Sequence, residues 1–271
     1  MKRLLCAALS ALLLLSGCGQ RAPANESPPG EGPTVSMEAT PAIGRSYALS
    51  EPLPGEVTPM VQAGELSSQA IWKAAESPDG RAALYNLDSD TGGVLVEWDG
   101  TLVMFSGWDF RTPQAIAPWM AVLDVRGSGT ADTLVVDLYN GSGTGVSVET
   151  LHLLTRDDHG TITDHPLPQA LYAERLPAIM TVKTGGNAAV SLGNTTLQLP
   201  KQQQKYTAGP CLGNIVAYTA DRNGRLSMEL ALGMGVKDTA VPVYVGRLLA
   251  DIAFDPDAGV YTLCNFTLGE G

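Results

Sequence analysis

The sequence predicts a mostly β protein: antiparallel sheets in a β-sandwich or β-propeller-like arrangement, with one or two short helices. Three observations carry that expectation. Asp99-Gly100 stands between two apolar runs, 94–98 and 101–105, and Asp-Gly tolerates the positive φ that a two-residue hairpin needs at both turn positions. Three further pairs of apolar runs flank turn-rich stretches in the second half of the chain. About a dozen short strand-like segments recur with turns roughly every 8 to 12 residues, the rhythm of sandwiches, barrels and propellers.

The chain opens with Lys2 and Arg3, followed by an apolar run over 4–15 in which only Ser10 is polar. A spanning helix needs roughly 18 or more apolar residues, so this run is too short to cross a bilayer. Its flanks are those of a cleaved export signal. Leu15-Ser16-Gly17-Cys18 resembles the lipobox of bacterial lipoproteins at all four positions. The resemblance implies loss of residues 1–17 and a thioether-linked diacylglycerol on Cys18. It also implies a lipid-anchored protein on the extracytoplasmic side of the bacterial cell membrane. A single acyl chain anchors only marginally, at about 0.8 kcal/mol per buried methylene, so two or three chains on Cys18 are what make attachment stable. Gly19 is not Asp, so one inner-membrane retention signal is missing.

Residues 18–56 read as the lipidated N-terminus and a disordered tether. Pro23, Pro28, Pro29, Pro33, Pro41, Pro52 and Pro54 lie there with few large apolar residues. Such a composition buries too little surface to offset its ordering entropy. As a flexible coil it would reach about 30 to 40 Å. Residues 57–271 then form one β-rich extracytoplasmic domain.

Charge and cysteines narrow the partners. The chain has 17 basic and 28 acidic residues. Removing the signal takes only Lys2 and Arg3, leaving 15 against 28, a net −13. That balance excludes nucleic acid, whose phosphates demand Lys and Arg, and adhesion to anionic lipid through basic patches. Of four cysteines, Cys6 leaves with the signal and Cys18 carries lipid. Cys211 and Cys264 remain as an even pair in an oxidising compartment. A disulfide between them would contribute about 4 kcal/mol in the chain-entropy model. Two buried free thiols are the alternative, since sequence alone does not fix their separation.

Along the domain, residues 60–76 predict a short helix ended by Pro78-Asp79-Gly80. The Asp99-Gly100 hairpin sets Trp98 opposite Thr101, Val96 opposite Val103 and Val94 opposite Phe105. Apolar residues on both its faces predict that both are covered. Further hairpins are expected for 134–139 with 146–154 across the glycine-rich stretch 140–145, for 215–218 with 226–230 across Asn223-Gly224, and for 247–254 with 260–268. Residues 167–176 predict a short helix stopped by Pro177.

The strongest internal landmark is Asp124-Val125-Arg126-Gly127-Ser128-Gly129-Thr130-Ala131-Asp132, leading into an apolar strand. It resembles the calcium loop of FG-GAP and VCBS repeats, Asp-x-Asp-x-Asp-Gly-x-x-Asp. Asp124, Gly129 and Asp132 match, whereas Arg126 and Ser128 replace two acids. Calcium takes six to eight oxygens, commonly from several carboxylates, so no metal is assigned here. The Arg126 guanidinium is expected instead to bridge Asp124 and Asp132. Over 124–152 the chain is similar to bacterial lipoproteins that carry one such degenerate repeat. That resemblance implies an exported β domain and brings no established activity.

No other motif carries chemistry. The glycine-rich stretch 140–145 lacks the Gly-Lys-Ser/Thr and the following helix of a phosphate loop. His152, His159 and His165 lack zincin spacing. His152 is expected to pack on a strand, and His159 and His165 to be solvated among Asp157, Asp158 and Asp164. Trp72, Trp98, Trp108 and Trp119 read as core more than as a ligand groove. No cofactor is indicated. The leading expectation is a non-enzymatic binding or interaction domain with a protein or envelope-polymer ligand. The alternatives are an envelope hydrolase built from loop carboxylates and a sensory module for a membrane partner.

Overall fold

The structure is a computed structural model. It describes residues 32–37, 39–47, 49, 52–58, 71–87, 93–108, 116–168, 171–185, 187–200, 206–221, 223–237 and 241–270. The signal and Cys18 lie outside the described residues.

Among the described residues the protein is mostly β, in three sheets. The first strands are β1 (Val35–Ser36), β2 (Ala42–Ile43), β3 (Arg45–Ser46), β4 (Ile71–Glu76), β5 (Ala82–Leu87), β6 (Val94–Trp98) and β7 (Thr101–Phe105). There follow β8 (Trp119–Leu123), β9 (Thr133–Gly143), β10 (Val146–Arg156) and β11 (Ile162–Pro166). A π-helical turn, Leu171–Arg175, runs into α1 (Leu176–Ala178). The remaining strands are β12 (Thr181–Lys183), β13 (Ala189–Leu192), β14 (Thr195–Gln198), β15 (Tyr206–Cys211), β16 (Ile215–Ala220), β17 (Leu226–Val236), β18 (Val243–Asp255) and β19 (Val260–Gly269).

The Asp99-Gly100 hairpin forms as its residues predict. Asp99 has φ 46° and Gly100 φ 78°. Trp98 pairs with Thr101, Val96 with Val103 and Val94 with Phe105. This hairpin lies in a five-stranded sheet, β3-β7-β6-β5-β4. Leu84, Val94, Val96, Trp98, Val103 and Phe105 on one face pack against Met120, Val122, Leu134, Val136, Leu138, Leu154 and Ile162 of the large sheet. On the other face Tyr85, Leu87 and Leu95 are covered by Tyr47, Leu49 and Leu53. Both faces are therefore buried, and the two sheets stack as a sandwich.

The large sheet has eleven strands and contains the path β1-β19-β18-β17-β16-β10-β11-β2, with β8 and β9 attached through β10 and β15 through β17. A propeller needs separate four-stranded blades, which a continuous eleven-stranded sheet does not supply. One join is parallel: Ser147 pairs with Ile215 and Val148 with Val216. The second core fills the other face of this sheet, with Val135, Leu151, Leu153, Leu230, Leu232, Leu248 and Leu263 in contact with Leu171 and Leu176 of the helical turn. The three-stranded sheet β12-β13-β14 adds Val190, Leu192 and Leu197 to it.

Four local expectations are corrected. Within 60–76 only 71–76 are described, and they form β4, paired with β5 through a bulge between Lys73 and Ala75. Pro78-Asp79-Gly80 is the turn of that hairpin, closed by Gly80 N–H donating to Ser77 O at 2.9 Å. The helical stretch runs over 171–178 and includes Pro177, which lies in the first turn of its α-helical part, α1. The glycine-rich stretch is ladder rather than loop: Gly141 pairs with Val148 and Gly143 with Val146, leaving Thr144-Gly145 as the turn.

The fourth correction concerns the tether. Part of 18–56 is built into the fold. β1 pairs with β19, β2 with β11 and β3 with β7. Met37 N–H donates to Tyr261 O at 2.8 Å and Gly44 N–H to Ile162 O at 2.9 Å. Arg175 Nη1 donates to Ser36 O at 2.8 Å. β1 and β2 end opposite sides of the eight-strand path, yet only residues 37–41 join them. The sheet therefore curls until this strap crosses between its two end strands. Gly44 is required where the strap meets the smaller sheet, because a Cβ there would lie 2.9 Å from Phe105 and Val103.

Candidate functional site

The 124–132 loop is braced by its own hydrogen bonds. Asp124 Oδ1 accepts from the backbone N–H of Ser128 at 2.8 Å, and Oδ2 accepts from that of Gly129 at 2.9 Å. Ser128 Oγ donates within reach of Thr130 O at 3.1 Å and Asp132 Oδ2 at 3.2 Å. Arg126 pairs with Asp132 alone, at 3.7 Å, and lies 4.9 Å over the ring of Phe254. The expected bridge to both aspartates does not form, because Asp124 is spent on the turn backbone. Ser128, which replaces an acid of the repeat pattern, is the hub instead.

The histidines divide differently from expectation. His152 does pack on a strand: it is buried on β10, with Nδ1 2.8 Å from Asp164 Oδ2. Trp108 stacks on it at 3.7 Å between centroids and donates Nε1–H to the same Asp164 oxygen at 2.8 Å. His159 is exposed. His165 is half-buried, with Nε2 3.0 Å from Thr155 Oγ1 and its ring edge-on to Tyr261. Burial holds its pKa below the ordinary histidine value. Among the described residues no three His, Cys, Asp or Glu side chains converge as a metal site. Trp72, Trp98 and Trp108 are core residues.

A cluster absent from the sequence expectations lies at the edge of the second core. Asp137 on β9 is 4 % exposed and adjoins Glu149 on β10 and Trp119 on β8. Burial first, and then the Glu149 charge, raise its pKa to about 8. Glu149 Oε2 accepts the backbone N–H of Tyr218 at 2.8 Å. The Tyr218 hydroxyl meets that of Tyr172 from the π-helical turn, and burial raises the pKa of both phenols. Alternation along β9 places Asp137 on the same face as Val135. Its direct partner on β10 is Leu151, and Glu149, two residues before Leu151, is the diagonal neighbour on the same face, a cross-strand register that no local signal marks.

Glycosidase carboxyls stand about 5 to 9.5 Å apart so that substrate or water fits between them, whereas Asp137 is closed off from solvent.

The expected disulfide is also absent: Cys211 and Cys264 are both free. Cys211 pairs with Gly233, Gly233 with Tyr244, and Cys264 with Asp251. Three inter-strand steps of about 4.8 Å and some seven residues of about 3.3 Å rise separate the two cysteines. A disulfide needs Cα atoms roughly 4.4 to 6.8 Å apart.

A surface cavity of about 260 Å³ lies where the chain joins the fold. Gly32 and Pro33 form one wall, the β13–β14 turn (Leu192, Asn194, Thr195) another, and Asn265 with Phe266 of β19 the third. Pro33 sits tightly on the turn, since a Cβ on Gly193 would lie 2.7 Å from its Cδ. Thr195 Oγ1 accepts Leu268 N–H at 3.0 Å, tying the turn to β19. Among the described residues no carboxylate lines the cavity.

Comparison with family models, with curated proteins and with solved structures gives no match for this chain. No helix among the described residues is long and apolar enough to cross a membrane.

Proposed function

We propose that this chain is a lipid-anchored extracytoplasmic binding or interaction domain, held to the membrane by lipid on Cys18. The observation that carries this reading is the strap. The segment that follows the anchor is woven into the fold by β1, β2 and β3. Val35 and Met37 are buried in the second core. Load applied at the lipidated end is thus received by the main sheet. That is the construction a displayed domain needs to stay attached while it engages a ligand.

The anchor is tested by metabolic labelling with a fatty acid. The wild-type chain takes up label and fractionates with membranes, whereas C18S does neither. An unlabelled, freely soluble wild-type chain overturns the reading. The binding role is tested with a soluble chain that starts at Gly19, because a start near Ser46 would remove β1 and β2. Immobilised, it enriches a protein or envelope polymer from envelope extracts. Failure to enrich anything counts against a binding role.

A further inference from the structure

Resting on the lipid-anchored reading, we infer that the uncharged face around the Pro33 cavity is the surface this domain turns toward the lipid bilayer. Two independent observations meet there. The first is where the chain leaves the fold. Pro33 is seated on the Gly193 turn, and Val35 just after it is 7 % exposed and paired with Leu263. The first described residues after Cys18 therefore lie at this face. The residues between Cys18 and Gly32 span no more than about 50 Å even when fully extended. A compact domain of this size is roughly 45 Å across, so a leash of that length leaves from one side of it.

The second observation is charge. The chain carries a net −11, so an anionic bilayer repels most of its surface. The cavity walls are the exception: Gly32, Pro33, Leu192, Asn194, Thr195, Asn265 and Phe266 hold no ionisable group. Asp251, which accepts from Asn265 Nδ2 at 2.7 Å, is paired with Arg225. The bilayer therefore meets least repulsion where the leash already brings it closest. Phe266, partly exposed, gives that face apolar body, and exposed Asn194 gives it an amide donor for headgroup oxygens.

The test is amide hydrogen exchange on the full lipidated chain in nanodiscs containing phosphatidylglycerol, compared with full-length C18S in solution. Mass spectrometry first establishes the lipid on Cys18. Its absence overturns the anchored reading and this inference together. With lipid present, exchange at Gly193, Asn194 and Asn265 slows about threefold or more, while the β18–β19 turn at Asp255 to Gly259 is unchanged. N194D, an exposed and isosteric change, loses the slowing on phosphatidylglycerol and keeps it on phosphatidylcholine. Unchanged exchange at the cavity in a lipid-bearing sample overturns the inference and leaves the anchor standing. Slowing centred on the Asp255 turn, or an N194D variant that behaves as wild type on both lipids, overturns it as well.

Discussion

His152 on β10 and Asp164 on β11 face each other inside the sandwich, with Nδ1 and Oδ2 2.8 Å apart and both side chains buried. Trp108 donates to the same oxygen, so one carboxylate answers two buried donors. Truncating it leaves both unpaired. D164A is expected to lose about 3 kcal/mol or more of unfolding free energy. D164N, which keeps an acceptor oxygen, loses less. Urea midpoints measure both, and equal stability of D164A and wild type would refute the role.

Asp137 makes stability pH-dependent. Its folded pKa is raised, to about 8, above the ordinary 3.8. A carboxyl of this kind contributes fully while protonated in both states, below about pH 4, and its contribution is lost as pH rises through the folded pKa. Thermal stability should therefore fall between about pH 4 and pH 8. D137N, which cannot ionise, should flatten that slope and be the more stable chain at pH 8. Melting curves across the range check this, and a slope unchanged in D137N contradicts it.

Gly44 fixes the strap against the smaller sheet, with no room for a Cβ beside Phe105 and Val103. G44V should cost about 1 to 3 kcal/mol through overpacking. It should also raise amide exchange at Gly44, whose N–H is held by Ile162 O, while leaving the β17–β18 ladder protected. Wild-type exchange in G44V would show that the strap is not seated there.

Both cysteines should titrate as thiols. Reductant is expected to leave the melting temperature unchanged, and the non-reduced mass should show no linkage between residues 211 and 264. Cys264 is buried, and burial raises its pKa. It should therefore react with a thiol reagent far more slowly in the folded chain than after denaturation. Rapid labelling of Cys264 in the native state would count against its placement.

The hairpins were legible in the chain because their information is local. Asp99-Gly100 sets its own turn, and side-chain alternation sets the register on either side. The strap was not legible. Its composition is that of a tether, and its strands use backbone groups that every residue carries; Val35 and Met37 alone commit large buried side chains to the main core. Residues 71–76 misread for a related reason. Trp72-Lys73-Ala74-Ala75 suits a helix by propensity, and pairing with β5 overrides it. The acid pair was invisible because Asp137 and Glu149 meet only through a cross-strand register between β9 and β10.

By itself the sequence determined the β class, the positions of the tight turns, the acidity and the lipobox resemblance at Leu15 to Cys18, each written in neighbouring residues or in composition. Only the tertiary structure decided that the segment after the anchor is a strap. It alone kept Cys211 and Cys264 apart, spent Asp124 on its own loop and left the uncharged face where the chain departs. These outcomes depend on which distant strands pair and in what register. Backbone hydrogen bonding is common to all residues, so that pairing is chosen by packing of the whole core rather than by any local run.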